Sequence, residues 1–147
     1  MTKALQTATF LLRVSLGWLF FYAGITKVIN PAWSAAGYLG AAKTFPALFN
    51  WFAAPSNLPW VNFANSWGLT LVGLALIIGL LVRAASVGGI MLMTLYYLPI
   101  LDFPHPNPHS YLVDEHIIYI LVFVLLFTAD AGRVWGLDKI AFKRKYN

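Results

Sequence analysis

The sequence contains no cysteine, and only 10% of its 147 residues are charged. Without a thiol the chain forms no disulfide, binds no thiolate-held zinc or iron–sulfur cluster and performs no persulfide chemistry. An ordinary soluble domain has about 25% charged and about 45–50% apolar residues, whereas this chain is 60% hydrophobic. These shortages exclude a soluble globular protein, and they mean that any redox chemistry uses a bound cofactor or substrate.

Long uncharged segments make up most of the chain. Because about 20 apolar residues cross a bilayer as a helix, they predict four spans, at about residues 5–29, 60–82, 84–101 and 111–129. Backbone groups in lipid need partners within the protein, and these segments lack the period-two pattern of a β-barrel. We therefore expect an all-α fold, a four-helix transmembrane bundle in which residues 1–147 form a single integral membrane domain.

The distribution of basic residues predicts the orientation of the bundle. Positive residues favour the cytoplasmic side of a membrane, and seven of them would share the side of the N-terminus: Lys3, Arg83, Arg133, Lys139, Lys143, Arg144 and Lys145. The opposite side would have only Lys27 and Lys43. We expect a multi-pass plasma-membrane protein with both termini in the cytoplasm. Residues 130–147 would be a basic cytoplasmic tail in contact with lipid headgroups, not a surface for nucleic acid.

The connection between the first two spans, residues 30–59, is long, apolar and interrupted by proline. It contains Trp33 and Trp51, and the amphipathic rings of tryptophan favour the membrane interface. We expect an interfacial or re-entrant helical segment over the outer end of the bundle. Two interpretations remain open, a lid over a functional site and a helix that lies among the headgroups.

Two basic residues of the first span are candidate functional groups, because ionisable side chains are costly at or inside a membrane. Lys27 lies one turn before the end of this span, where it can either extend to the headgroups or bind a ligand. Arg13 lies about eight residues into the same helix. It can extend to the cytoplasmic surface, pair with an acid or bind an anion. We take Lys27 and Arg13 as candidate substrate or anion-binding residues.

The start of the fourth span concentrates acidic and aromatic groups. Asp114 is expected to be a structural acid, because a carboxylate in the first turn complements the helix dipole. Tyr119 follows Glu115 by four residues and His116 by three, which places it on their helix face. A carboxylate, an imidazole and a phenol in this arrangement can relay protons to a quinone or bind a cation. We predict that His116, Glu115 and Tyr119 are catalytic.

Two further histidines, His105 and His109, lie in a segment with three prolines within five residues. Such a loop does not put them on one helical face, and no metal signature is matched. A haem held by two histidines needs both imidazoles at one depth, and only His116 lies in a predicted span. We expect neither a metal nor a haem, and we take His105 and His109 as candidates for binding a substrate anion.

Three segments, residues 11–28, 73–85 and 114–138, resemble the DoxX/DoxD-like membrane proteins. Their matching residues are the Arg, paired Gly and Gly-x-x-Lys of the first segment and the Gly-Arg…Leu-Asp of the last: Arg13, Gly17, Gly24, Lys27, Gly132, Arg133, Leu137 and Asp138. The family includes the membrane subunit of a thiosulfate:quinone oxidoreductase. The longer, DoxD-like members are also similar to this chain in having an insertion at residues 30–59.

Two functions follow as hypotheses. The first is a membrane subunit of a quinone-linked oxidoreductase, with quinone as cofactor between the helices and thiosulfate-type anions oxidised at the outer face. The second is a non-catalytic scaffold or assembly subunit of a larger membrane complex, suggested by the small size and the small-residue helix faces. Besides the lipid bilayer, the partners would be a second membrane or periplasmic subunit or further copies of the chain. Whether the protein is an enzyme stays open.

Overall fold

The computed structural model describes residues 1–142, and this part of the chain is all-helical, with seven α-helices, one 3-10 helix and no β-strand. The predicted all-α class is therefore confirmed. The elements are α1 Lys3–Val28, α2 Ala36–Gly40, α3 Pro46–Ala53, α4 Leu58–Ile78, α5 Val82–Ile100, α6 Glu115–Thr128, the 3-10 helix η1 Ala131–Arg133 and α7 Asp138–Ala141. Lys143, Arg144 and Lys145 of the predicted basic tail lie outside the described residues.

Helix ends differ from the predicted spans where local backbone geometry ends the helix. The second predicted span extends to residue 82, but α4 ends at Ile78 because Gly79 adopts a left-handed φ of 71°, which glycine tolerates without strain. Arg83, expected in the turn, therefore lies inside α5. The fourth predicted span begins at residue 111, whereas α6 begins at Glu115 because the Asp114 side chain caps it there.

Two helices of the described residues, α1 and α4, are long and apolar enough to cross a membrane. Helix α6 is apolar but has only 14 residues, and α5 has 19 residues with Pro99 near its end. By this criterion the first two of the four predicted spans are supported.

Helices α1, α4, α5 and α6 share one hydrophobic core. Its centre is formed by aromatic contacts between α1 and α6, where the Phe20 ring meets Phe123 edge-on at 5.1 Å between centroids. Leu76 of α4 and Leu126 of α6 are fully buried beside them. The core therefore joins the first long helix to the last.

Glycines bring α1 and α4 close together. A Cβ atom on Gly73 would collide with the backbone of Phe21, and one on Gly24 would collide with Thr70. Gly89 of α5 similarly receives the ring of Phe123. The small-residue faces around Gly24, Gly73 and Gly89 are thus filled by the same chain, whereas Gly37 and Gly40 of α2 have open space around them.

Residues 29–57, here called the lid, fold over one end of the long helices. Helices α2 and α3 pack together around Phe49, which is 1% exposed, and against Val61 and Leu98. We call this the lid end of the molecule. The opposite end, where η1 and α7 lie, is the tail end.

Three hydrogen bonds fasten the lid to the last turns of α5. The Lys43 backbone N–H donates to the Pro99 carbonyl at 2.8 Å, and the Thr44 hydroxyl donates to the Leu101 carbonyl at 2.6 Å. The Tyr38 hydroxyl donates to the carbonyl of Tyr96. The connection is thus attached to the bundle by packing and hydrogen bonds.

Candidate functional site

A cavity of about 340 Å³ lies beneath the lid. The volume is within the range of small-molecule sites, which are mostly apolar with a few polar groups. Rings line much of its wall: Trp33, Tyr38, Phe49, Phe52, Trp60 and Tyr96. The polar lining comes mainly from Lys27 of α1 and Asn65 of α4. This composition suits a flat ring with polar atoms at its edge.

Lys27 is the basic residue of the cavity wall. Its ammonium group donates to the Ala23 carbonyl of the same helix at 2.9 Å and lies 5.4 Å from the centre of the Trp33 ring. Since a lysine ammonium has three N–H donors, others remain for a ligand. The side chain is half-buried under the lid, so the structure places the predicted ligand-binding residue at a cavity.

Asn65 and Tyr96 join α4 to α5 in the cavity wall. The Tyr96 hydroxyl donates to the Asn65 side-chain oxygen at 2.9 Å. The amide group of Asn65 retains two N–H donors. Together with Lys27 and Ser34, Asn65 provides one of the polar positions in a mainly apolar cavity.

His116 lies behind Tyr96, at the start of α6. Its ring is stacked on the Tyr96 ring, with centroids 6.1 Å apart and planes 18° apart. Its Nδ1 lies 2.8 Å from a carboxylate oxygen of Asp114. The same carboxylate accepts from the backbone N–H groups of His116 and Ile117 and so caps α6. Asp114 fixes the imidazole in place while it begins the helix.

Glu115 and Tyr119, the other two predicted catalytic residues, differ in their exposure. Glu115 is exposed at the surface of the lid end, whereas Tyr119 is half-buried and meets the edge of the Phe20 ring at 6.1 Å. The carboxylate in contact with His116 is therefore that of Asp114. Ligand atoms of Asp114, Glu115 and His116 lie within 4.8 Å of one another, a spacing that could hold a cation, but Asp114 already accepts several hydrogen bonds.

His105 and His109 occupy the loop between α5 and α6. Both are exposed, and His105 Nδ1 lies 3.3 Å from the Ser110 carbonyl oxygen. They are at the lid end but outside the cavity lining. The structure thus brings Lys27 and, through Tyr96, His116 to the cavity, while these two histidines face the surface.

Tyr38 connects the lid to the same group of residues. Burial raises the pKa of its hydroxyl above the ordinary value, and Tyr96 and the carboxylates of Asp114 and Glu115 act in the same direction. A raised pKa keeps the hydroxyl protonated well into the alkaline range. The hydrogen bond from Tyr38 to Tyr96 therefore persists across physiological pH.

Arg13 lies near the tail end, far along α1 from Lys27. The side chain is fully buried, and its guanidinium donates to the carbonyls of Ala131 at 2.9 Å and Trp135 at 3.4 Å. Its Nε is buried without a hydrogen-bond partner. Fourteen positions of helix separate Arg13 from Lys27, about 21 Å at ~1.5 Å per residue. Lys27 and Arg13, two of the four predicted anion-binding residues, therefore do not belong to one site.

Asp138, also at the tail end, caps the start of α5. Its carboxylate accepts from the backbone N–H groups of Leu81 at 2.7 Å and Val82 at 3.0 Å, where α5 begins. Its own backbone N–H donates to the Gly79 carbonyl at 2.8 Å. A second cavity nearby is lined in part by Arg83, Asp130 and Arg133, and Asp130 pairs with Arg83 at 3.2 Å. Part of the predicted tail is thus folded against the helix ends.

Sequence reasoning missed several residues of the cavity wall. Asn65 and Tyr96 are polar positions inside predicted spans, and this is a signal that could have identified them. Tyr38 gave no such signal, because its contact with α5 joins residues 58 positions apart.

Comparison with known proteins gives one family. A family model described as DoxX matches residues 8–99, which is more than half of the chain. No curated protein and no solved structure matches it.

Proposed function

This chain belongs to the DoxX family of membrane proteins, and on that basis we propose that it is the quinone-binding subunit of a membrane oxidoreductase. In this proposal α1, α4, α5 and α6 form a four-span bundle. Both termini are cytoplasmic, and the lid is on the outer face.

The observation that supports this proposal is the cavity under the lid. A quinone is a flat apolar ring with two carbonyl oxygens, which need hydrogen-bond donors when buried. Lys27 and Asn65 supply donors in a wall made mainly of rings. Offset and edge-on contacts between aromatic groups further stabilise a ring in such a place.

Reduction of a quinone to a quinol consumes two electrons and two protons. His116 is the imidazole beside the cavity wall, and histidine is the side chain that most often serves as a general acid or base. Asp114 holds His116 in place, while the exposed Glu115 and the half-buried Tyr119 extend the predicted proton relay. These residues would deliver the protons, and the cavity would hold the ring.

The electrons would come from a sulfur anion at the outer face. Two thiosulfate anions that form one S–S bond release two electrons, which matches the need of one quinone. Because the chain has no cysteine, this bond forms between the two substrate anions and not with the protein. Exposed Lys43, His105 and His109 are the groups at the lid end that could attract such anions.

The alternative is a non-catalytic assembly subunit. The glycine faces of α1, α4 and α5 are packed inside the chain at Gly24, Gly73 and Gly89, so the open glycines Gly37 and Gly40 of α2 are the ones left for a partner helix. A stoichiometric partner in mild detergent, without quinone or turnover, would favour it over the oxidoreductase.

A purification with quantified lipids tests the proposal. The protein is extracted from its native membrane in mild detergent, with and without co-purifying subunits, and its bound quinone is measured by chromatography. We expect retained quinone and saturable reduction of a short-chain quinone by a sulfur donor. Absence of both from every preparation would rule the proposal out.

A further inference from the structure

The cavity has exposed residues on the facing sides of α4 and α5. Ala64 of α4 and Leu95 of α5 both line it, yet both are exposed, Leu95 at 45%. Ala64 lies six residues beyond the start of α4, about 9 Å along the helix at ~1.5 Å per residue. Leu95 lies five residues before the end of α5. The opening is therefore set below the helix ends and faces the side of the molecule.

The lid side of the cavity also has exposed lining residues, Ser34 and Tyr38, but it is tied to the bundle by hydrogen bonds. The lid is fastened to α5 through the carbonyls of Tyr96, Pro99 and Leu101. On the opposite flank of α4, glycines hold α1 and α4 in close contact. Between α4 and α5, by contrast, a Cβ on Gly68 would meet Leu92 only at 3.5 Å, which is ordinary van der Waals contact. The hydrogen bond from Tyr96 to Asn65 joins α4 and α5 at one point; beside it, the contact between these helices is looser than the contact between α1 and α4.

In a membrane protein this opening faces hydrocarbon. At a depth of about one and a half turns below the start of α4, an exposed alanine and leucine contact lipid tails and not water. Residues at the opening are apolar, with Trp60 at 48% exposure above them. A ligand that enters here comes from the bilayer.

We infer that the gap between α4 and α5, with Ala64 and Leu95 at its rim, is a lateral portal that admits a lipid-soluble ring compound and holds its hydrocarbon tail. The ring lies in the cavity beside Lys27 and Asn65, and the tail leaves through the portal into the bilayer. A cavity of about 340 Å³ accommodates a ring head but not a long polyprenyl chain. This inference rests on the proposed function and adds the route of entry and the position of the tail.

Two quinones that differ only in tail length test the portal. The full chain is placed in lipid nanodiscs, and quenching of its tryptophan fluorescence by each quinone is followed in time. Ala64→Phe narrows the portal from α4, and Leu95→Phe provides a second variant from α5 in case the first does not fold. Leu71→Phe is the matched control, because Leu71 is exposed on α4 seven residues after Ala64 but does not line the cavity.

We expect the portal variants to slow association of both quinones about tenfold, because the ring itself passes through the portal. Only the long-tailed quinone should also lose equilibrium affinity, since only its tail lies in the portal, and the Leu71→Phe control should match the wild type in both measurements. Equal rates for the long-tailed quinone in wild type and both portal variants would overturn the portal and leave the proposed function intact. An equal loss of equilibrium affinity for both quinones would also overturn it, since the substitutions would then damage the ring site itself. If neither quinone binds the wild-type protein, the proposed function is contradicted.

Discussion

The His116 ring lies nearly parallel to the Tyr96 ring, at 6.1 Å between centroids, and Asp114 holds the other side of the imidazole through Nδ1. One carboxylate thus begins α6 and fixes a histidine against the wall of the cavity. The contact links a titratable group near the surface to a tyrosine that reaches the cavity. It makes His116 the histidine most directly connected to the candidate site.

Replacing His116 by alanine is expected to lower quinone reduction about 100-fold, the range typical of a lost general acid or base. Stability should change little, because the Asp114 cap of α6 uses backbone N–H groups. The measurement is the steady-state rate beside the thermal midpoint in detergent. Thr128→Ala, at the exposed far end of the same helix, is the control and should retain near wild-type reduction.

Tyr96→Phe is expected to keep the stack on His116 and to lose the hydrogen bond to Asn65. The lost bond should lower the free energy of unfolding by about 1 kcal/mol. Quinone affinity should also fall, because the Asn65 side chain loses the hydrogen-bond partner that orients it. Titration calorimetry with a short-chain quinone checks the affinity, and unchanged binding would remove Asn65 and Tyr96 from the site.

Arg13→Ala is expected to destabilise the fold by about 3 kcal/mol, since two backbone carbonyls lose a charged donor in a buried place. The affected carbonyls belong to Ala131 and Trp135. Thermal unfolding followed by size-exclusion chromatography measures the loss. Arg83→Ala is the control, because Arg83 is 55% exposed in its ion pair with Asp130, and such pairs contribute about 0–1 kcal/mol.

Gly73→Ala is expected to disrupt the contact between α1 and α4, because its Cβ would collide with the Phe21 backbone. Gly68→Ala on the same helix should be near neutral, as its Cβ would meet only the flexible Leu92 side chain at 3.5 Å. Expression and monodispersity in detergent compare the two. Equal behaviour of the two variants would contradict the close approach of the helices.

The sequence predicted the helical class and the approximate position of each long helix, because uninterrupted apolar segments are a local signal. It did not predict where α4 ends, since a glycine within an apolar segment signals packing as readily as a left-handed cap. The contacts at the tail end also could not be predicted from the sequence. Asp138 caps α5 across 57 residues of sequence, and no local pattern records such a contact.

Within the site, the sequence identified the cluster of residues at the start of α6. It did not predict which carboxylate of the cluster contacts His116. Neighbouring residues on a helix point about 100° apart, and the cap decided that Asp114 turns toward His116 while Glu115 faces outward. Lys27 was recognised as a cation at a span end. Its place in a cavity depended on the lid, whose fold is set by contacts with α4 and α5 that lie far away in sequence.

Photolabelling with a quinone that bears a photoreactive group tests the central claim most directly, because it reports where the ring binds. After irradiation in lipid nanodiscs, labelled peptides are identified by mass spectrometry, with and without excess unlabelled quinone. The account predicts label that excess quinone displaces on the residues around the cavity, Trp33, Trp60 and Tyr96. Label confined to lipid-facing positions such as Trp18, which is 60% exposed on α1, or label that excess quinone does not displace, would contradict it.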